Sequence, residues 1–474
     1  MLLVGVLAGC GGDSSGEDLR DTWQDVVTDT APDPAADPTL DTAVDTAADT
    51  AIDTAEDDPG DPGHDPVVAF PERFVRFTVD EDIIGPAYVS VADVTGDGQL
   101  DLVVSSFGGM TFPLPAGQVR LYTFTGDLDS WSHTHVASQE EGIKFPNATT
   151  VADVDGDGDL DVIVPSGFLA CTMGGLGADC GGLAWFEQTD AGWTRHDVVE
   201  NGSALFYHHA LLHDFTGDGV RDMVTVGEEQ GGIGSSDRAV TQMFAGTGDP
   251  VRFETTPREI GQGLGSIPQL HDVDGDDDLD IVSAEYFYQA SFAWMEQLLP
   301  PSVEHPAGAW IRHVIADDVG PSIMLEMVPD LYGDGVTRAV GANHVNESKD
   351  GMESAVYVLD VPESPSLPWP KTKISTGIVS VPGSAMAPMA APGIFGTGDV
   401  DGDGDIDVAL SGDGDKRVFV LEQVAPGSFV THVLGEDLGQ AGGMKVTDLD
   451  DDGRREIVVT SYEANVIYVY EYIL

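Results

Sequence analysis

A nine-residue acidic motif that returns seven times constrains this chain more than any other feature. It reads DVTGDGQLD (93–101), DVDGDGDLD (153–161), DFTGDGVRD (214–222), DVDGDDDLD (272–280), DLYGDGVTR (330–338), DVDGDGDID (399–407) and DLDDDGRRE (448–456). The starts lie 60, 61, 58, 58, 69 and 49 residues apart. Self-similarity at that period marks one supersecondary unit stacked on copies of itself. A β-rich run follows nearly every motif: LVV, VIV, MVTV, IVSA, AVG, VAL, IVVT. The second unit continues through LAWFEQ, a turn and WTRHDVV (183–199). Its last segment is echoed by WSHTHV (131–136), WIRHVI (310–315) and FVTHVL (429–434). Each unit therefore reads as four short strands, with the acidic loop joining the first two.

Seven such units predict an all-β chain, a seven-bladed β-propeller over residues 67–474. The seventh unit supplies three strands, ending in NVIYVYEYIL, and an orphan strand, RFVRFTV (73–79), precedes the first unit. Pairing the two closes the ring and removes the exposed sheet edges.

Composition narrows the function. Against 83 acidic residues stand 20 basic ones, a formal charge of −63. That excludes phosphate-backbone recognition, which needs clustered Lys and Arg, and electrostatic docking on anionic lipid. It favours cations and basic partners. No apolar run approaches the roughly 18 residues that span a bilayer. Residues 11–66, typified by DTAVDTAADTAIDTAEDDPGDPGHDP, have little to bury and repel themselves, so they read as a disordered Asp/Thr/Ala/Pro-rich linker. Residues 1–10, MLLVGVLAGC, resemble a bacterial lipoprotein signal segment, with Cys10 the lipidated residue. No Lys or Arg precedes Cys10, so the basic part of that pattern is missing. The expected location is the cell envelope, lipid-anchored to the outer membrane on its surface or periplasmic face. Cys171 and Cys180 flank TMGGLGAD and are expected to form a disulfide in an exported protein.

The D-x-D-G-D-G-x-x-D loops at blade spacing resemble the FG-GAP/VCBS repeat family, the calcium-loop propellers that include the integrin α-subunit head. Phe107-Gly108-Gly109 and Gly117-Gln118-Val119-Arg120-Leu121-Tyr122 of the first unit are also similar to that family's pattern. The resemblance implies Ca2+ in the loops, and the residues suit it. Calcium takes six to eight oxygens from a flexible loop. Positions 1, 3, 5 and 9 can offer side chains and position 7 its carbonyl. In the second unit these are Asp153, Asp155, Asp157, Asp161 and the carbonyl of Asp159, with Gly158 turning the chain and Leu160 expected to anchor the loop in the core. The fourth unit has Asp272, Asp274, Asp276, Asp278 and Asp280, with Asp277 in the glycine's place; the sixth has Asp399, Asp401, Asp403, Asp405 and Asp407. The first (Asp93, Thr95, Asp97, Gln99, Asp101) and third (Asp214, Thr216, Asp218, Val220, Asp222) lose a charge at position 3 and are expected to bind more weakly. The seventh uses Asp448, Asp450, Asp452, Arg454 and Glu456. The fifth carries Tyr332 and Arg338 at positions 3 and 9, and the guanidinium is expected to replace the ion by pairing with Asp330 and Asp334. The expectation is about six structural calcium ions and an empty fifth loop. Oxygen-only ligands favour calcium over zinc.

Other constellations are weaker. Tyr207, His208, His209 and His213 precede the third loop and read as a strand with histidines on alternate faces. His196, His313 and His432 recur at one repeat position and read as structural. Glu228, Glu229 and Glu285 follow loops, and spacing alone does not make them a carboxylate pair. No G-x-S-x-G, H-E-x-x-H or phosphate loop is present. By resemblance the chain is expected to be a non-catalytic adhesion or recognition module for an extracellular protein or polysaccharide, touching membrane only through its lipid. The alternatives are a lyase-like polysaccharide enzyme, favoured if Tyr207, His208 and His209 meet an Arg and an open calcium on one face, and a scaffold of a surface complex. Segments 106–118, 166–182, 227–250 and 341–354 read as inter-strand insertions where a partner would dock.

Overall fold

The computed structural model describes residues 69–109, 114–168, 179–230, 236–248, 252–381 and 389–473. The lipobox-like segment 1–10 with Cys10, the whole of the linker 11–66, and Cys171 lie outside the described residues. Residues 66–474 form one compact unit. Seven four-stranded antiparallel sheets stand in a ring, a seven-bladed β-propeller.

Blade 1 runs Pro86–Ala92, Asp101–Ser106, Gln118–Asp127, Ser130–Ala137. Blade 2 runs Thr150–Ala152, Asp161–Ser166, Gly181–Thr189, Gly192–Ser203, and blade 3 Leu205–His213, Asp222–Gln230, Ser236–Phe244, Arg258–Gln262. Blade 4 runs Gln269–His271, Asp280–Glu285, Ser291–Leu299, Ala309–Ala316, and blade 5 Ser322–Val328, Arg338–Asn343, Val356–Asp360, Lys371–Lys373. Blade 6 runs Phe395–Gly398, Asp407–Ser411, Val418–Ala425, Ser428–Gly435. Blade 7 takes Ala441–Thr447, Glu456–Ser461 and Val466–Tyr472 from the end of the chain and Phe74–Asp80 from its other side. That last strand pairs Phe74 with Tyr472, Arg76 with Tyr470 and Thr78 with Tyr468, so the ring closes as expected. Phe70 stacks on His432 of blade 6 at 4.4 Å, binding the seam from outside the strand.

Burial follows position in the blade. Second strands such as DLVVSS, DVIVPS and EIVVTS are buried at every residue. They are covered on both faces by neighbouring blades, so they read as continuous apolar runs rather than alternating ones. Outer strands such as SWSHTHVA are exposed along most of their length. The core is a set of inter-blade layers; Val162, Val164 and Phe186 of blade 2 pack with Val103, Val119 and Leu121 of blade 1.

Antiparallel order sorts the connections onto two rims. Loops between strands one and two, and three and four, share one rim; loops between strands two and three, and between blades, share the other. Three of the four expected insertions, 106–118, 166–182 and 341–354, fall between second and third strands, whose joined ends are on the rim opposite the acidic motifs. The fourth, 227–250, is not one insertion. Most of it is strand, Asp222–Gln230 and Ser236–Phe244, because blade 3 lengthens its central hairpin.

Candidate metal centres in the blade loops

The seven acidic loops share one backbone. Position 4 has positive φ in every copy: Gly96, Gly156, Gly217, Gly275, Gly333, Gly402 and Asp451. Position 6 does too, with Asp277 at φ 75 in the glycine's place. Asp reaches the left-handed region at lower cost than most side chains, which is why it substitutes here.

Main-chain amides hold the loop carboxylates in place. The position-5 aspartate accepts the position-7 N–H in all seven loops, at 2.9 Å in Asp157 and 3.0 Å in Asp334. The position-1 aspartate accepts amides from the turn, as Asp399 does from Gly402 (2.7 Å) and Gly404 (3.0 Å). The position-9 carboxylate is a staple. Asp161, Asp280 and Asp407 each accept the position-2 N–H through Oδ2 and a third-strand N–H, from Gln188, Gln297 and Gln423, through Oδ1. Those glutamines extend the tie: Gln188 Nε2 reaches the Val94 carbonyl and Gln423 Nε2 the Leu331 carbonyl, each in the loop of the preceding blade.

The expected core anchor needs correction. Leu160 at position 8 is only half-buried, and position 2 is the buried one: Val94, Val154, Phe215, Val273, Leu331, Val400 and Leu449. Packing against the next blade selects that residue, and spacing inside one loop does not reveal it.

Four loops bring three carboxylates together. Oxygens of Asp153, Asp155 and Asp161 lie within 4.8 Å of one another, as do those of Asp272, Asp274 and Asp276, of Asp399, Asp401 and Asp407, and of Asp448, Asp450 and Glu456. Among the described residues the loops with Thr95 and Thr216 at position 3 form no such group. In the fifth loop Arg338 takes Asp334 at 2.7 and 2.8 Å and lies over the Tyr332 ring at 4.2 Å. Its second carboxylate is Asp360 at 2.9 Å, on the third strand, and not Asp330, which is turned to the Gly335 amide at 2.5 Å. Only the fold brings residue 360 to this loop.

The groups fit a hard divalent cation. All are oxygens, and Glu456, fully buried, has an Oε1 with no partner while its carboxylate belongs to the fourth group. Burial, only partly offset by the backbone donors, pushes the position-9 carboxyls up: Asp161 to about 6, Asp280 to about 7, Asp407 and Glu456 to about 8. Without metal, then, the folded chain holds protons that the unfolded chain releases near pH 4. That stabilisation is complete below about pH 4 and is lost as pH rises through 6 to 8. Thermal unfolding in chelator should show a lower midpoint at pH 8 than at pH 5. In saturating calcium the slope should reverse, since metal competes with those protons; a flat chelator profile would refute the burial argument.

The histidine cluster does not assemble. Tyr207 is buried, His209 bonds the Ala148 carbonyl at 3.1 Å, and His208 faces Glu228 at 3.4 Å and stacks on Phe287. Glu285 is held by Arg312 and Ser291. The recurrent His196, His313 and His432 each pair through Nε2 with a third-strand glutamate, Glu187 (2.7 Å), Glu296 (2.6 Å) and Glu422 (2.6 Å). Those glutamates were not anticipated from sequence, although the repeated Glu-Gln dipeptide was visible. Cys180 is disulfide-bonded.

The profile described as the FG-GAP-like repeat matches residues 93–164 and 399–471. The chain carries FG-GAP-like repeats. The two matched segments are blade 1 with the start of blade 2, and most of blades 6 and 7, so each begins on position 1 of an acidic loop. No curated protein matches the chain. Similar solved structures include virginiamycin B lyase from Staphylococcus aureus, at 11% identity over 84% of this chain and 99% of that one, with a TM-score of 0.46. Another is BBS1N in complex with ARL6DN, at 11% identity over 84% and 97%, with a TM-score of 0.47.

Proposed function

We propose that this FG-GAP-like propeller is a calcium-stabilised, non-catalytic recognition module of the cell envelope. The observation that carries the calcium reading is the convergence of three carboxylates in each of four loops, on backbone turns repeated around the ring. Calcium would neutralise those carboxylates and fix one rim. The six loops expected to bind divide into these four and the two with threonine at position 3.

The opposite rim is where a partner is expected. Its longer loops carry Phe168, Phe287, Tyr286 and His344, half-buried and in ring contact in that order, with Phe168 backed by the buried Phe145 (4.7 Å) and Phe107 (3.8 Å from Phe145). Aromatic faces of this kind suit sugar rings and protein side chains alike. The lipobox-like residues 1–10, followed by an acidic linker, support tethering to the outer membrane. Adhesion to an extracellular polysaccharide or protein is the reading carried forward. The lyase-like alternative receives no support from Tyr207, which is buried, or from His208 and His209, which meet Glu228 and the Ala148 carbonyl rather than an arginine.

Binding of the full chain to arrayed polysaccharides and envelope proteins, in calcium and in chelator, tests this. Retention in calcium, lost on Phe168→Ala with Tyr286→Ala, is expected. Appearance of unsaturated sugar products during incubation would instead establish the enzyme.

A further inference from the structure

Strand register identifies a second acidic position beside each loop. The residue after position 9 pairs with a third-strand partner: Val162 with Phe186, Ile281 with Met295, Val408 with Leu421 and Ile457 with Tyr470. The next residue on that third strand is Glu187, Glu296, Glu422 and Glu471, respectively. The corresponding residues of blades 1, 3 and 5 are Thr123, Ala245 and Asp360. The four blades with a glutamate are the four whose loop carboxylates converge.

Two blades show what this position faces. In blade 5 the Arg338 guanidinium bridges the position-5 aspartate, Asp334, and the third-strand Asp360. In blade 7 Arg454 likewise bridges Asp452, at position 5, and Glu471, the latter at 3.0 Å. A side-chain cation thus sits between loop and third strand wherever an arginine can reach. In blades 2, 4 and 6 no guanidinium spans these two positions among the described residues; Arg221 of blade 3 touches only the Asp153 main-chain carbonyl. There the glutamate uses Oε2 for its histidine, which holds the side chain in place beside the loop. Strand register sets that glutamate beside the loop bearing Asp155, Asp274 or Asp401. Like charge set this close is unfavourable unless a cation lies between.

We propose that Glu187, Glu296 and Glu422 belong to the shell of the loop cation, so that blades 2, 4 and 6 are the tight calcium sites. Arg454 makes blade 7 weaker, the threonine-bearing loops of blades 1 and 3 are weaker still, and blade 5 is closed by Arg338. The histidines act as positioning residues, in the manner of outer-shell partners that orient a ligating carboxylate. This rests on the calcium reading above and adds which residues rank the sites.

Calorimetric titration of the full chain with calcium tests it. Three tight sites are expected. The triple variant Glu187→Gln, Glu296→Gln, Glu422→Gln should weaken that class by about tenfold or more, with its unfolding midpoint in chelator unchanged or raised. Arg454→Gln should free Asp452 and Glu471 and increase the tight sites to four. Unchanged calcium affinity in the triple variant, with a lower midpoint in chelator, would show glutamates that merely brace the histidines and would overturn the proposal. So would an unchanged count in the Arg454→Gln chain. Absence of any calcium heat would overturn the calcium reading itself, whereas binding indifferent to the glutamates overturns only this inference.

Discussion

Stripping divalent cations from the full chain with a chelator is expected to lower its thermal unfolding midpoint by about 10 °C or more. The reason is mass action on sites that exist only in the folded chain. An ion present at a hundredfold its Kd stabilises the native state by about 2.7 kcal/mol per site. The four convergent loops would then contribute about 10 kcal/mol between them. The loss also releases repulsion, since each group places three carboxylates within 4.8 Å. The backbone amides that hold positions 1, 5 and 9 temper this, so the metal-free ring should weaken rather than vanish. Differential scanning calorimetry in calcium, in magnesium and in chelator checks it. Magnesium should restore little, because it demands tighter octahedral geometry than these loops provide. A midpoint indifferent to chelator would make the acidic loops turns stabilised by their own amides.

Removing the closing strand is expected to have the other large effect. Phe74–Asp80 covers the edge of Val466–Tyr472, and Phe77 and Val79 pack on the layer containing Ile467 and Val469. Without it, blade 7 presents an uncovered apolar strand, a template for association with other chains. A chain shortened to begin after Asp80 should elute as aggregates in size-exclusion chromatography and lose its cooperative unfolding. Phe77→Asp is the milder form. It buries a charge at a half-buried aromatic site and should cost on the order of 3 kcal/mol. A separate peptide of residues 69–82, added to the shortened chain, should restore solubility by pairing in the vacated edge. A shortened chain that stays monomeric with an unchanged midpoint would mean the ring does not depend on this closure.

Much of the architecture was legible because it repeats. Seven motifs at near-constant spacing define seven units, and the strand echoing WTRHDVV ahead of the first unit predicts how the ring closes. Loop conformation was legible as well. Glycine at positions 4 and 6 marks two left-handed residues, and Asp277 and Asp451 adopt the same φ sign where glycine is absent. The threonines at 95 and 216 mark two of the three loops outside the convergent groups, and Arg338 marks the third.

What the sequence by itself determined, then, was the blade count, the closure and which residues could ligate an ion, since each follows from local pattern or from likeness between copies. Only the tertiary structure decided which residues from other strands complete the loops. Residue 360 lies 22 positions from Arg338, and Glu187 lies 26 positions beyond Asp161; antiparallel register brings each pair to one rim. The same holds for position 2 as the buried anchor, which is chosen by the neighbouring blade. Contacts across strands and blades depend on register and packing, and a linear motif carries no record of the residues it will face.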